Sequence, residues 1–289
     1  MNFPGLVWGS IRSRWSSLLG FQVFVFWALI AVLPLFFPEK FEIDVHLPFT
    51  RLPPSFVVSN PLGWMGYDAV GSSVLLQIVS GAGVSLVVGT TTVLVCLAIG
   101  VPLGAMAGYF DGWVDVLVGR VMDILLAFPP LVLPLAIAVF FGGGFATIVF
   151  ALCVGGWIGS AKIVRSQFRS LKSCDFVLAA KAAGASPARV MFRHLLPNVA
   201  SPLLVHATFS MAGAILAEAG LSFLGLGLGD GHVSWGGLLN DARAYLIESP
   251  HMAIFPALAI LSLVLALNFL GETFRMAFDP RQSDLMQGR

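Results

Sequence analysis

Charge is what this sequence has least of. Its 289 residues hold 16 Lys and Arg against 15 Asp and Glu, 11% in all, where an ordinary soluble domain carries about 25%. That scarcity excludes a soluble globular domain, and a formal net charge of +1 excludes a global field that would recruit nucleic acid. Cysteine is nearly absent too. Cys96, Cys153 and Cys174 form an odd set without the paired spacing of a disulfide framework or a metal site, so no metal ligand is assigned. The first two fall in apolar runs and read as small core residues. No fixed period marks a solenoid or collagen. No Gly-x-x-x-x-Gly-Lys-Ser/Thr phosphate loop, His-Glu-x-x-His, Gly-x-Ser-x-Gly or serine–lysine dyad stands out, so no catalytic residue is assigned. What remains is apolar: 57% of residues are hydrophobic and the mean hydropathy is +0.90, which excludes disorder as well.

Leu18 to Phe37 is 20 residues without a charge, enough at about 1.5 Å per residue to cross a hydrocarbon core of about 30 Å. It exceeds a signal-peptide core and no small-residue cleavage site follows, so it reads as an uncleaved anchor. Further spans are expected at Val84 to Phe110, Val114 to Phe140, Phe145 to Ala161, Asn198 to Ala217 and Met252 to Gly271. The 38 uncharged residues from Ile124 to Ala161 are too long for one crossing, and Gly142, Gly143 and Gly144 supply the turn that divides them. Ser72 to Gly83 reads as a short interfacial helix. The expected architecture is all-α and polytopic, with six transmembrane helices. Residues 1–71 hold the N-terminus, the first helix and an external segment, and residues 72–289 hold a core of five helices with a loop at 162–196.

Basic residues set the orientation, because cytoplasmic segments retain Lys and Arg. Twelve of the 16 fall on one side: Arg12, Arg14, seven between Lys162 and Arg193, and Arg275, Arg281 and Arg289. Lys40, Arg51 and Arg243 fall on the other, and Arg120 lies inside a span. Both termini and the 162–196 loop are therefore expected in the cytoplasm of a multi-pass protein of a bacterial inner membrane.

That loop carries its own punctuation. Ser173 or Asp175 can cap a helix through Ala183, Gly184 suits the left-handed position after a helix, and Ser186-Pro187 is an N-cap with proline at the first helical position. A second short helix is expected to end before Pro197. Ala179, Ala180, Ala182, Ala183 and Ala185 let another surface approach closely. The loop is either a knob for a partner's groove or a basic segment lying on anionic lipid. A helix-turn-helix DNA reader is a third reading, disfavoured because a loop pinned at both ends to membrane spans is poorly placed to seat in a major groove.

Leu178-Ala-Ala-Lys-Ala-Ala-Gly184, followed by His194-Leu-Leu-Pro-Asn198, resembles the "EAA" loop of membrane subunits of binding-protein-dependent ABC importers. Other stretches resemble the C-type permease of the dipeptide and oligopeptide importers: Asn60-Pro-Leu-Gly63, Gly108 to Asp115, Asp123 to Pro129, Glu218 to Gly227, Ser234-Trp-Gly236, Phe255-Pro256 and Asp279-Pro-Arg281. The resemblance covers most of the chain after residue 60. It implies the type I ABC importer permease fold and a half-transporter whose loop docks on an ATPase through Asp175, Leu178, Ala179, Ala180, Gly184, Ala185, Ser186, Pro187 and His194. It implies as partners a second homologous permease, two ATPase subunits, an external solute-binding protein and the bilayer, with short peptides as cargo and nickel chelates or glutathione as alternatives. No cofactor is expected on this chain, ATP and magnesium being on the partner subunits. The family has glutamate where Leu178 stands. Asp175, one helical turn earlier, is the alternative ion-pair partner; otherwise docking is mainly apolar.

Polar residues inside the spans are candidates for the translocation path. Arg120 and Asp123 are spaced to pair on a helix, either as a structural ion pair or as path lining. His206 and Ser210 lie on the fifth span, each a path residue or a packing residue. Glu218 marks that span's outer end, where an acid meets a cargo amino group or satisfies backbone donors. Gly100, Gly104 and Gly108 recur every four residues, the spacing that lets helix backbones approach in lipid. Trp64 and Trp235 read as binding-protein contacts or interfacial anchors, and Glu272, Arg275 and Asp279 as an ion-pair ladder. A self-contained ion-driven carrier or channel is the competing class, but the spans offer no evident proton relay or inverted repeat. A passive anchor needs neither six spans nor their prolines and glycines.

Overall fold

A computed structural model describes residues 15–37, 45, 47–55, 61–229 and 232–278. Arg12, Arg14, Lys40, Asn60 and the Asp279-Pro-Arg281 stretch, with Arg289, lie outside them. Among the described residues there is no strand, and five helices are long and apolar enough to cross a membrane. These are α1 (Trp15–Phe36), α2 (Val74–Phe110), α5 (Phe145–Leu171), α7 (Pro187–Phe223) and α9 (His251–Ala277).

The third expected span, Val114 to Phe140, is broken. Its residues form α3 (Gly112–Leu126) and α4 (Val132–Phe141), separated around Phe128-Pro129-Pro130. Two successive prolines remove two helix donors and force the residue before them away from helical geometry, so a single rod is not available there. Gly142 and Gly144 then make the expected turn with φ of 80° and 135°, and the Gly144 amide donates to the Gly227 carbonyl at 3.0 Å.

Several helices outrun the expected spans. α2 absorbs the interfacial segment into one 37-residue rod, about 55 Å long, because its first turn is capped by the Ser73 hydroxyl and no proline interrupts it before Pro102. α5 continues ten residues past Ala161, which puts Lys162, Arg165 and Arg169 on a helix rather than in a loop. α7 is also continuous from Pro187, whereas its first turns were expected to be a separate helix. Val190–Leu195 forms a π turn, with the Leu196 amide reaching back to the Met191 carbonyl. The wider turn lets Pro197, which has no amide proton, follow without ending the helix. The Asn198 side-chain amide donates to the His194 carbonyl at 2.6 Å beside the interruption.

α2 crosses α5 along the glycine repeat. A Cβ on Gly104 would sit 2.9 Å from Ala161 Cα, and one on Gly108 would sit 2.7 Å from the Arg165 carbonyl oxygen. The three glycines therefore face α5, with helix backbones in contact. α9 lies between α1 and α7; Trp27 Nε1 donates to Ser262 Oγ at 2.9 Å, and Thr273 Oγ1 to Ser17 Oγ at 2.8 Å. At the end of the bundle remote from the 172–196 segment, a short helix α8 (Trp235–Ala242) packs across α2, α7 and α9. Trp235 is fully buried there and donates to the Ile78 carbonyl at 2.9 Å, so it is a core residue rather than an interfacial anchor. Glu272 and Arg275 pair at 2.6 Å.

Candidate functional site

The segment between α5 and α7 is a small helix held on a rigid base. α6 (Asp175–Ala182) starts from Cys174, not from a Ser173 or Asp175 side-chain cap, and Asp175 occupies the first turn, where a carboxylate favours the helix dipole. It ends in a Schellman turn. The Ala185 amide donates to the Ala180 carbonyl and the Gly184 amide to the Lys181 carbonyl, both at 3.0 Å, with Gly184 at φ 81°. Ser186 then caps α7 through the Arg189 amide at 3.4 Å, followed by Pro187. Val177 pins α6 from below: fully buried, it packs with Phe168, Val190 and Leu195. Lys181 lies 5.3 Å over the Tyr109 ring.

The outer face of α6 is exposed and largely apolar. Phe176 and Leu178 are about half exposed, as is Phe192 one turn into α7. Asp175, Ala179, Ala182, Ala183, Gly184, Ser186 and Pro187 are exposed; Ala180, Ala185 and His194 are half-buried. A Cβ on Gly184 would meet nothing within 4 Å, so a side chain there would project from the knob.

Beneath the knob lies an ionic cluster. Asp115, on the first turn of α3, pairs with Arg165 at 2.5 Å and with Arg169, and Asp111 pairs with Lys172 and with Arg169 at 3.8 Å. Two acids from the α2–α3 turn thus tie the end of α5. The expected Arg120–Asp123 pair does not form: both side chains are exposed on α3, and among the described residues no ion pair joins them. The acid that meets arginines is instead Asp115, which looks from the sequence like one of several acids flanking a helix start.

Between α2, α3, α4, α5 and α7 lies a partly open cavity of about 370 Å³, with Leu126 and Phe128 on its lining about half exposed. His206 and Ser210 line it and hydrogen-bond each other at 3.3 Å. Ser160 lines it as well, its hydroxyl donating to the Trp157 carbonyl at 2.9 Å. Thr92 was missed by sequence reading: it lines the cavity, is 4% exposed, and its hydroxyl has no partner. No Asp, Glu, Lys or Arg is among the lining residues. Arg120, Asp123 and Glu218 are not among the lining residues. Glu218 lies fully buried rather than at a mouth, its Oε1 accepting from Ser222 Oγ at 2.7 Å with Ser234 beside it.

At the remote end, residues 47–55 and 61–73 are latched onto the α8–α9 segment. Arg51 pairs with Glu248 at 2.6 Å and lies 5.3 Å over the Tyr245 ring, and His251 Nε2 contacts the Tyr67 carbonyl at 3.1 Å. Asp68 accepts from the Ser72 amide at 2.8 Å and from Gln77 Nε2 at 2.5 Å. Burial, and then the charge of Asp68, push the Asp241 carboxyl up from its ordinary value.

Residues 100–284 match the family described as "Binding-protein-dependent transport system inner membrane component". The chain is 38% identical over 218 residues to the glutathione transport system permease protein GsiD of Pectobacterium atrosepticum, covering 75% of this chain and 72% of that one. It is 39% identical over the same span to GsiD of Escherichia coli and of Shigella boydii. Among solved structures, the fold resembles a chain of the MetNI methionine ABC transporter in inward-facing conformations. The TM-score is 0.57 at 18% identity, covering 70% of this chain and 96% of that one.

Proposed function

Since the chain belongs to the family of binding-protein-dependent transport system inner membrane components, and is a non-enzymatic permease subunit of an ABC importer, we propose that it imports short peptides with both termini in the cytoplasm. The observation that carries the coupling role is the α6 knob. It is an exposed apolar surface on a short helix whose underside is locked to α2, α5 and α7. A rigid lever needs such a construction, because motion imposed on α6 passes to α5 and α7 only if their joints do not yield. Docking onto the ATPase is mainly apolar in this reading. Leu178 and Phe176 fill a groove, with Asp175 at the helix start available for a cation.

A second homologous permease, two ATPases and an external solute-binding protein complete the assembly. ATP and its magnesium belong to the ATPases. Their closure on ATP draws the two knobs, the membrane helices from α2 to α9 rotate, and the path opens towards the binding protein; hydrolysis resets it. The binding protein contacts the remote-end surface built from residues 47–55, 61–73 and α8. The cargo class rests on the motifs after residue 60. Glutathione, itself a small peptide, is the second reading, favoured by the names of the relatives at 38% and 39% identity.

Affinity purification of the tagged chain in mild detergent tests the assembly. Recovery of ATPase subunits, one homologous permease and a binding protein, with a peptide or glutathione on the latter, is the expected result. Transport by the purified chain alone in liposomes contradicts it and favours an ion-driven carrier.

A further inference from the structure

The intramembrane cavity is built in a way that the coupling mechanism does not require. Its volume of about 370 Å³ lies within the about 300–1,000 Å³ range of small-molecule sites. One wall carries polar groups, the His206–Ser210 pair on α7. The others are apolar, with Leu97, Leu125, Phe128, Pro130 and Leu133 among them. The polar groups on the first wall are paired with each other, His206 and Ser210 at 3.3 Å. The broken crossing contributes too, because the Phe128-Pro129-Pro130 interruption between α3 and α4 forms part of the wall. With no Asp, Glu, Lys or Arg on the lining, a charged group seated against the apolar walls would lose hydration without a counter-charge, which costs more than the available hydrogen bonds return.

We propose that this cavity binds the uncharged, apolar portion of a small amphipathic molecule; on the peptide reading above, on which this rests, that portion is an apolar cargo side chain. The His206–Ser210 pair holds the adjoining amide. The site then discriminates among cargoes by the size and charge of one side chain, inside the permease itself. Charged cargo side chains travel outside it.

Gly213 and Gly155 give direct access to this claim. Both line the cavity, and a Cβ on either meets nothing within 4 Å, so Gly213→Leu and Gly155→Leu fill the space from opposite helices without a backbone clash. The experiment compares uptake of radiolabelled Ala-Ala-Ala, Ala-Phe-Ala and Ala-Glu-Ala by cells expressing the whole assembly, with membrane abundance checked by immunoblot. Both variants are expected to lower Ala-Phe-Ala uptake by about tenfold or more, in line with steric discrimination in apolar pockets, and to leave Ala-Ala-Ala and Ala-Glu-Ala near wild type. Ser210→Ala is expected to raise the KM for Ala-Phe-Ala at unchanged abundance. Equal loss of all three cargoes, or no loss of any, overturns the pocket while the importer reading stands. If the wild-type assembly carries none of the three, the peptide reading falls and the proposal falls with it.

Discussion

The seam between α2 and α5 sets a sharp limit on what Gly104 tolerates. An added Cβ would lie 2.9 Å from Ala161 Cα and 3.0 Å from its carbonyl carbon, whereas non-bonded carbons settle at about 3.5–4.0 Å. Both neighbours are backbone and cannot swing away, so the two helices must part by about 0.5–1 Å. A gap of that size forfeits about a quarter to a half of each dispersion contact. Overpacking of this kind costs about 1–3 kcal/mol, so Gly104→Ala is expected to be measurably less stable and Gly104→Leu not to accumulate. The assay is thermal or denaturant unfolding of the detergent-solubilised protein. Gly155→Ala serves as control, since a methyl there meets nothing within 4 Å. Equal stability of Gly104→Ala and Gly155→Ala would refute the close-crossing argument.

Three other outcomes follow from named contacts. Gly184→Asp imposes a left-handed conformation on a residue with a Cβ, at about 1–2 kcal/mol, and puts a charge on the knob; uptake is expected to be abolished with membrane insertion intact, as checked by transport and immunoblot. Asp115→Asn leaves Arg165 without its ion-pair partner and Arg169 with Asp111 alone, and is expected to cost about 1.5–3 kcal/mol, seen as earlier proteolysis near Lys172 and a lower unfolding temperature. For Asp241 the folded-state pKa lies above the unfolded value. The folded protein therefore holds the proton more tightly, and the stability of the remote end falls as pH rises above about 4. Asp241→Asn should flatten that dependence, which unfolding temperatures across the acid range measure.

The long apolar runs and the glycine turn at 142–144 were legible because burial in lipid demands uninterrupted apolar helices and because three glycines have few other uses. The knob's ending was equally legible, since Gly184, Ser186 and Pro187 each have a narrow conformational preference. Helix ends were less so. Nothing in the residues of the 74–83 stretch says whether it bends or continues, and Pro197 reads as a stop unless the π turn ahead of it is known. Partner choice among charges was least legible. Arg120 and Asp123 have ideal spacing on one helix, yet Arg165 and Arg169 reach Asp115 from another, a pairing set by how α3 and α5 pack. Thr92 is an ordinary threonine in an apolar run until the cavity beside it is seen.

The central claim is that the knob is a lever driven by a separate ATP-hydrolysing subunit, and crosslinking tests it most directly. With a photoreactive benzoylphenylalanine in place of Ala182, an exposed residue on α6, irradiation of intact cells should yield a covalent adduct with the ATPase subunit, altered in yield by ATP. Adducts confined to lipid under every nucleotide condition would contradict the account.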